Sequence, residues 1–341
     1  MAVWGSPMAT YLSDFARAGL TLASALITLS IGLDGTASIH AQTYPVKTIK
    51  LVVPFGPGGP TDVSARLVAQ IVQSTLGQSV VIENRPGAGG ALGSKSVAGA
   101  DPDGYTLLAA TSATLGVVPA LVKNPGYDPI KSFAPIAKVA DSSLVLVVPQ
   151  SIPVTSVQEF IAFATANPGK LSYASAGSGN QTQLLAELFK SKARIDIVHV
   201  PYKSGAEMVT AILGEQVHMA FPDISILLPL VREGKLKALA VTSATRHREL
   251  PDVPTMVESG ISDFVMTFWS GIVAPAGIPS GIVDTLNTAI NEGLRSQDVR
   301  DALAKVGAET NPGTPQDFAR FIAAETQKWG AVAKTVGINL D

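Results

Sequence analysis

Short apolar runs and segments of helical periodicity alternate along the chain from Tyr44 onward. Ile49–Pro54 (IKLVVP) is an apolar run with one lysine, which is typical of a strand buried on both faces. In Asp62–Leu76 the apolar positions recur every three or four residues, which predicts an amphipathic helix. Strands that alternate with helices in this way predict a parallel α/β architecture.

The alternation continues to the carboxyl terminus, and its order of elements starts over after Val148. Further strands are predicted at Val80–Glu83, Thr106–Ala110, Ala134–Ala140, Leu144–Val148, Leu171–Ser175, Ile197–Val200, Val217–Phe221, Ala238–Val241 and Ser270–Ala274. Further helices are predicted at Val157–Asn167, Thr182–Ser191, Ala206–Leu213, Ser280–Leu294, Val299–Val306 and Pro315–Val336. Because a chain of 341 residues suits about two domains, we expect two α/β halves.

The first forty residues have the composition of a targeting segment. Arg17 precedes the apolar run Ala18–Leu33, and small residues follow that run. This order is typical of a secretory signal peptide, and the run is shorter than the roughly 20 residues that span a bilayer. We predict a signal peptide over residues 1–41 that is cleaved off in the periplasm, with an uncleaved anchor as the alternative. Either Met1 or Met8 can serve as the start.

Composition and charge exclude several classes of function. The net charge is −2 and only 15% of the residues are charged, so we expect no broad basic surface and no nucleic-acid partner. The lack of cysteine removes disulfides, iron–sulfur clusters and cysteine nucleophiles. Neither a metal nor another cofactor is expected, because no metal-binding spacing occurs among the four histidines, His40, His199, His218 and His247.

One glycine-rich motif occurs once in each half. A predicted strand leads into the loop Phe55–Thr61 (FGPGGPT) and then a helix, and another leads into Ala176–Thr182 (AGSGNQT) and then a helix. Glycines let a ligand approach the main chain closely, and the helix start behind each loop offers unbonded N–H groups and a partial positive charge. Two such loops favour an anion site shared between the halves, against the alternative that both are tight turns.

Neither loop matches a nucleotide-binding pattern. The P-loop sequence GxxxxGK[ST] is absent, and Gly87–Gly93 (GAGGALG) has Leu92 where a dinucleotide loop needs its third glycine. A turn before a helix is the simpler interpretation of that segment. The GxSxG elbow of serine hydrolases is also absent. Asp62 lies in the first turn of its predicted helix, where it either caps the helix or contacts a ligand.

The chain resembles the solute-binding proteins of tripartite tricarboxylate transporters, also called the Bug receptor family. The resemblance runs from about Tyr44 to the carboxyl terminus and rests on YPVKTIKLVVPFGPGGPTDVSAR, VVIENRPGAGGALGSKSVA, DPDGYTLL, HVPYKSGAEM, GKLKALAVTSATRHRELPDVPTMVESG and WSGIVAPAGIP. It implies a type II periplasmic-binding-protein fold, in which two α/β lobes close on a ligand in the cleft between them. By this analogy lobe I holds residues 44–142 and 268–341, and lobe II holds residues 143–267.

The resemblance also implies that main-chain groups and ordered water hold a carboxylate. The residues that it places at the ligand are Phe55, Gly58, Gly59, Thr61, Asp62, Ser112, Thr114, Ser178, Gly179, Asn180, Gln181 and Asp223. Other interpretations are a solvated loop for Ser112 and Thr114, and a helix cap for Asp223. Family members commonly have a histidine where this chain has Gln183, and a small hydroxyl residue where it has Asn180.

We therefore expect an extracytoplasmic solute-binding receptor that captures a small carboxylate, such as a dicarboxylate or related organic acid, and delivers it to the membrane subunits of a transporter. It is expected to be a monomer without a chemical step. Two other functions stay open: a secreted α/β enzyme (hydrolase or isomerase) acting on a small carboxylate, and a ligand sensor feeding a membrane kinase. The glycine loops contain hydroxyls and one carboxylate but no His, Lys or Cys, which favours binding over catalysis.

Overall fold

Strands and helices alternate along the chain of this computed structural model, which describes residues 1, 44–305 and 307–340. The predicted signal peptide and its cleavage site lie outside these residues, apart from Met1. The strands are β1 Ile49–Val53, β2 Val80–Asn84, β3 Thr106–Thr111, β4 Phe133–Ser143, β5 Val145–Pro149, β6 Leu171–Ser175, β7 Ile197–Pro201, β8 Met219–Ala220, β9 Leu236–Val241, β10 Thr267–Pro275 and β11 Ala308–Thr310. The helices are α1 Pro60–Leu76, α2 Ala91–Ala98, α3 Val118–Leu121, α4 Val157–Ala166, α5 Gln181–Ala193, α6 Gly205–Leu213, α7 Ile224–Arg232, α8 Ser280–Arg295, α9 Gln297–Lys305 and α10 Pro315–Val336.

The predicted elements are present, and their bounds follow the local pattern. β6 and α10 begin and end at the predicted residues, and α10 has a capping box in which Thr314 and Asp317 bond each other's main chain. β8 is shorter than predicted, because only Met219 and Ala220 pair with neighbouring strands. β11 was not predicted, since three residues with two polar side chains make no recognisable strand pattern.

The strands form two mixed sheets, with the orders β11-β4-β10-β3-β1-β2 and β7-β6-β8-β5-β9. β1 is parallel to β2 and β3, and β6 is parallel to β7 and β8. β10 is antiparallel to β3 and β4, and β5 is antiparallel to β8 and β9. The parallel pairs agree with the parallel α/β architecture that the sequence pattern predicts, and the antiparallel pairs add to it. β5 and β10 enter from the other sheet instead of returning through a crossover helix, so each runs antiparallel to both of its neighbours.

The chain passes between the two sheets twice. β4 leads into β5 through the single residue Leu144, and residues 242–266 connect β9 to β10. β4 and β10 pair with each other from Thr267 opposite Ser143 to Pro275 opposite Phe133. These two long strands therefore bring both sheets to a common base.

Helices cover both faces of each sheet. α1 and α8 bury one face of the first sheet, and α2 with the start of α10 buries the other. On the second sheet, α4 and α5 bury one face, and α6 and α7 bury the other. The end of α10 belongs to the second core, where Trp329 and Val332 share a buried cluster with Leu185 and Phe189. Within residues 44–305 and 307–340, no helix is long and apolar enough to cross a membrane.

Gly330 in α10 offers a test of the helix packing. No atom lies within 4 Å of the position that a Cβ would take there, and alanine loses less backbone freedom on folding than glycine. We expect Gly330→Ala to raise the free energy of unfolding by about 1 kcal/mol, measured by urea denaturation. Gly116→Ala is the matched control of opposite sign, because its Cβ would lie 2.5 Å from Trp329 Cδ1. A lower free energy of unfolding for Gly330→Ala than for the wild type would contradict the presence of free space at this position.

Candidate functional site

The first glycine loop leads from the end of β1 into α1. Gly58 has a φ of +82°, a left-handed conformation that glycine adopts without strain, and Gly59 is the N-cap of α1 with Pro60 after it. The N–H groups of the first helical turn have no carbonyl partner within the helix. No atom lies within 4 Å of a Cβ built on Gly56 or Gly58, so the main chain of this loop is accessible to a small molecule.

The carboxylate of Asp62 holds this loop in shape. It accepts hydrogen bonds from Gly58 N (3.0 Å), Arg66 Nε (2.8 Å) and Asn84 Nδ2 (2.9 Å). Asp62 is only 2% exposed, and the hydrogen bond from Arg66 is the main reason that its pKa is lowered to about 2. Asp62 is therefore ionised at neutral pH and satisfied by its own surroundings. The carboxylate therefore fixes the position of the Gly58 main chain.

Arg66 and Asn84 were missed by the sequence analysis. Arg66 is four residues after Asp62 in α1, a spacing at which helical side chains pair, so a local signal existed. Asn84 is 22 residues from Asp62 at the end of β2, and its amide also donates to the carbonyl oxygen of Phe55 at 3.0 Å. The ring of Phe55 packs on the turn before α2, since a Cβ on Gly90 would lie 3.2 Å from Phe55 Cζ.

Ser112 and Thr114 follow β3 and are fully buried, so the solvated loop considered for them is wrong. Thr114 Oγ1 accepts from Thr111 N at 2.9 Å, and Thr111 Oγ1 accepts from Thr114 N at 3.3 Å, which closes a tight turn. Ser112 Oγ instead donates to Gln181 Oε1 at 2.7 Å. Thr114 therefore stabilises the turn, while Ser112 connects it to the second glycine loop.

The second glycine loop ends in a capped helix. Asn180 is the N-cap of α5, and its Oδ1 accepts from Thr182 N at 2.9 Å. Gln181 is 5% exposed, and its Nε2 donates to the carbonyl oxygen of Thr267 at 3.0 Å. Because Gln181 also accepts from Ser112, one amide side chain links the end of β3, the start of β10 and the second glycine loop.

The glycine of this loop is covered by the end of the chain. A Cβ on Gly179 would lie 2.2 Å from Leu340 Cδ1, and the N–H of Leu340 donates to the carbonyl oxygen of Leu121 at 3.0 Å. The Gly179 N–H donates to Gln183 Oε1 at 2.7 Å, whereas Ser178 beside it is exposed. The main chain at Gly179 is therefore engaged within the protein.

Asp223 caps α7, which confirms one of the two interpretations of its position. Its Oδ1 accepts from Ser225 N at 2.8 Å and from Ser142 Oγ at 2.9 Å. Burial raises the pKa of Asp223 above the usual range of a carboxyl group. The Ser225 hydroxyl is buried and has no hydrogen-bond partner among the described residues.

A cavity lies between the first glycine loop and the start of α7. Its lining consists of Gly58, Pro60, Val63, Ser64, Ala140, Asp141, Ser142, Asp223, Ser225, Ile226, Phe268, Ser270, Leu303 and Ala308. The cavity has a volume of about 210 Å³, which is room for a small organic molecule. β4 and β10, the strands that bring the two sheets together, both contribute residues to this lining.

The cavity brings together two of the predicted ligand residues, Gly58 and Asp223. The other predicted residues are outside its lining, and two of them bond residues of the lining: Asp62 accepts from Gly58 N, and the Gly59 carbonyl oxygen accepts from Val63 N. Ser142, Ser225 and Phe268 line the cavity but were missed by the sequence analysis. Little in the sequence marks these residues as part of a site. Ser142, for example, is simply the first of two serines at the end of an apolar strand.

Comparison with known proteins identifies the family. Residues 64–338 match the family described as "Tripartite tricarboxylate transporter family receptor". The protein BugT of Bordetella pertussis (strain Tohama I) is 38% identical over 323 residues, which cover 94% of this chain and 99% of BugT. The chain therefore belongs to the receptor family of tripartite tricarboxylate transporters, a family of periplasmic solute-binding proteins, and the resemblance seen in its sequence is confirmed.

Solved structures of similar proteins have the same fold. R. palustris Rpa4515 with adipate is 37% identical, with a TM-score of 0.78, and the match covers 87% of this chain and 99% of that protein. MatC (Rpa3494) from Rhodopseudomonas palustris with bound malate is 34% identical, with a TM-score of 0.75, and the match covers 85% and 99%. The periplasmic binding protein BugD is 35% identical, with a TM-score of 0.75, covering 87% and 99%. The expected fold of two α/β lobes is confirmed.

Proposed function

We propose that this protein is a periplasmic receptor that captures a small dicarboxylate or related organic acid and delivers it to a tripartite membrane transporter. The observation that carries the proposal is the cavity between the first glycine loop and α7, whose lining combines the exposed Gly58 with Ser142, Asp223 and Ser225. Two similar proteins are described with adipate and with malate, both dicarboxylates. The receptor binds its ligand and performs no chemical step.

Neutral donors would hold the ligand. Among the described residues that line the cavity there is no lysine or arginine, so charge pairing with a basic side chain is not available. A carboxylate can instead bind the N–H groups at the start of α1, next to Gly59, where the helix dipole adds a partial positive charge. At the other end, the free Ser225 hydroxyl and the raised pKa of Asp223 suit a second polar group of the ligand.

Closure of the two lobes would complete the site. We propose that lobe I (residues 44–142 and 268–341) moves against lobe II (residues 143–267) about β4 and β10. A ligand that contacts both lobes stabilises the closed arrangement, because only there does it bind both walls of the cavity. The hydrogen bond between Ser112 and Gln181 joins the two proposed lobes and belongs to that arrangement.

The route to the periplasm and the partners follow from the same proposal. The segment 1–41 would be removed as a signal peptide, and the mature monomer would meet the transporter subunits at the membrane surface. Recovery of unchanged acid after long incubation with the protein separates a receptor from a hydrolase or isomerase. Co-purification with a transporter subunit rather than with a membrane kinase separates transport from sensing.

Gly59→Val tests the proposed main-chain contact. Gly59 has an extended conformation, with φ −79° and ψ 170°, which valine adopts without strain, and only Gly56 O lies within 4 Å of a Cβ there. We therefore expect the fold to be kept while the valine side chain blocks the approach of a carboxylate. A thermal-shift screen of malate, adipate, succinate, citrate and a neutral diamide identifies the ligand, and calorimetry then measures its affinity.

The wild type is expected to bind the preferred acid with a micromolar Kd, about −8 kcal/mol. Gly59→Val is expected to weaken this binding at least about ten-fold, which corresponds to roughly 1.4 kcal/mol. Gly281→Val is the matched control, because Gly281 has no atom within 4 Å of its Cβ position and lies in α8, not in either glycine loop. Equal affinity of the Gly59→Val variant and the wild type would refute the proposed contact.

A further inference from the structure

A closed ring of hydrogen bonds lies behind the second glycine loop and passes through His199 on β7. Gly179 N–H donates to Gln183 Oε1 at 2.7 Å, and Gln183 Nε2 lies 3.2 Å from His199 Nδ1. His199 Nε2 lies 2.6 Å from Ser175 Oγ, and Ser175 Oγ donates to the carbonyl oxygen of Gly177 at 3.1 Å. The ring therefore begins and ends on the main chain of the loop.

The directions of these hydrogen bonds follow from one fixed donor. The main-chain N–H of Gly179 can only donate, so Gln183 must present its carbonyl oxygen to Gly179 and its NH2 group to His199. An NH2 group can only donate, so Nδ1 of His199 must be the unprotonated acceptor. The imidazole is then neutral with its proton on Nε2, which donates to Ser175 Oγ.

Protonation of His199 is incompatible with this ring. A proton on Nδ1 would face the NH2 group of Gln183, so two donors would meet. Rotation of the Gln183 amide would restore a bond to Nδ1 but would turn the NH2 group toward the Gly179 N–H and break that bond. Without rotation the repelled Gln183 amide is no longer held by His199, and with rotation the Gly179 N–H loses its acceptor, so the ring is broken in both cases.

The surroundings of His199 favour the neutral form. The imidazole of His199 stacks on the aromatic ring of Tyr173, with centroids 4.8 Å apart. Ser175, the hydrogen-bond partner of its Nε2, is fully buried. The charged groups that interact with it are Glu187 and Lys190 of α5, which form an ion pair with each other. Burial lowers the pKa of His199, Glu187 opposes this change, and Lys190 reinforces it.

We propose that His199 is a positioning residue that holds the second glycine loop in its observed shape only while the imidazole is neutral. It acts through Gln183 on Gly179 and through Ser175 on Gly177. The inference about loop shape rests on the hydrogen bonds alone, and its consequence for ligand affinity rests on the proposed function. Acidification would loosen the loop and weaken the grip on a bound acid.

NMR spectroscopy of the ¹⁵N-labelled, ligand-free protein tests the loop directly. At about pH 8 we expect the imidazole ¹⁵N shifts of His199 to show a protonated Nε2 and an unprotonated Nδ1. As His199 becomes protonated on acidification to about pH 5, the protection factor of the Gly179 amide should fall at least about ten-fold after correction for intrinsic exchange. Protection that stays constant through the titration of His199, or the opposite tautomer at pH 8, would overturn the proposal.

Three variants separate positioning from simple packing. Glutamine carries one acceptor and one donor but does not titrate, so His199→Gln should keep Gly179 protected and make that protection independent of pH. His199→Leu should lose the protection at every pH. His218→Gln is the matched control, because His218 is also half-buried and bonded to Ser172 but is not part of the ring, so its pH profile should equal that of the wild type.

Calorimetry with adipate measures the consequence for binding. The adipate Kd should rise more steeply on acidification in the wild type than in His199→Gln, where the carboxyl groups of adipate still titrate but residue 199 does not. If the amide protection changes as expected but both proteins show the same pH dependence of the adipate Kd, the loop is positioned by His199 but takes no part in binding. The NMR measurement decides the loop proposal whether or not adipate binds.

Discussion

Asp62→Ala is expected to lower the free energy of unfolding by about 2 kcal/mol and to weaken ligand binding about ten-fold or more. The carboxylate accepts from Gly58, Arg66 and Asn84, and its removal leaves the Gly58 N–H without its acceptor and the Asn84 amide with only the Phe55 carbonyl oxygen. Its pKa falls from the usual value of 3.8 to about 2, a difference that corresponds to about 2 kcal/mol of stability at neutral pH. Urea denaturation and calorimetry measure the two effects.

The pH dependence identifies the cause of this loss. Because folding lowers the pKa of Asp62, its contribution is present above about pH 3.8 and is lost as the pH falls through about 2. The difference in stability between the wild type and Asp62→Asn should therefore shrink over that range. Asp317→Asn serves as the control, because Asp317 belongs to the capping box of α10 and its hydrogen bonds are to Thr314 and Arg320 rather than to a glycine loop, so ligand affinity should be unchanged. A constant difference between pH 5 and pH 2 would exclude the carboxylate charge as the cause.

Glu325→Ala is expected to have the largest effect on stability, a loss of about 3 kcal/mol. Glu325 is 3% exposed, and its Oε2 accepts from the indole N–H of Trp269 at 3.0 Å and of Trp329 at 3.1 Å. Both tryptophans are fully buried, so each would keep an unsatisfied N–H, at a cost of about 1–3 kcal/mol each. The melting temperature should fall by about 6–10 °C in a thermal scan.

Glu325→Gln separates the acceptor from the charge. The glutamine carbonyl oxygen can accept from both indoles, while the partner Lys328 is partly exposed and can turn into water. We expect the free energy of unfolding of this variant to fall by only about 1 kcal/mol. Equal stability of the alanine and glutamine variants would contradict a shared acceptor.

Tryptophan fluorescence gives a second measurement for Glu325→Ala. Since Trp269 lies on β10 and Trp329 on α10, the indole emission of this variant should shift to the red as the packing between these elements loosens.

Much of the fold was predictable because helix and strand signals depend on neighbours in the chain. The apolar spacing of α10 and its capping box involve residues at most a few positions apart, and its bounds were predicted without error. The short strands β8 and β11 depend on partners in other parts of the sheet, so local pattern described them poorly. The mixed direction of the sheets likewise depends on how β5 and β10 enter from the opposite sheet.

The candidate site was predictable only in part, for the same reason. The glycines of the first loop are visible in the sequence because a left-handed residue such as Gly58 selects glycine. Asp62 was recognised, but its role was not, since one of the donors that it accepts from lies 22 residues away at Asn84. The hydrogen bond from Ser142 to Asp223 spans 81 positions and leaves no local trace.

The residue pattern alone determines the family, the alternation of strands and helices, and the two glycine loops. Each of these features is encoded in contiguous residues. Folding in three dimensions assigns the loops different tasks: Gly58 lines a cavity, whereas Gly179 is held behind it by Gln183 and covered by Leu340. Those assignments depend on hydrogen bonds and contacts between distant segments. Their energies exist only once the two sheets have packed, so no stretch of sequence records them.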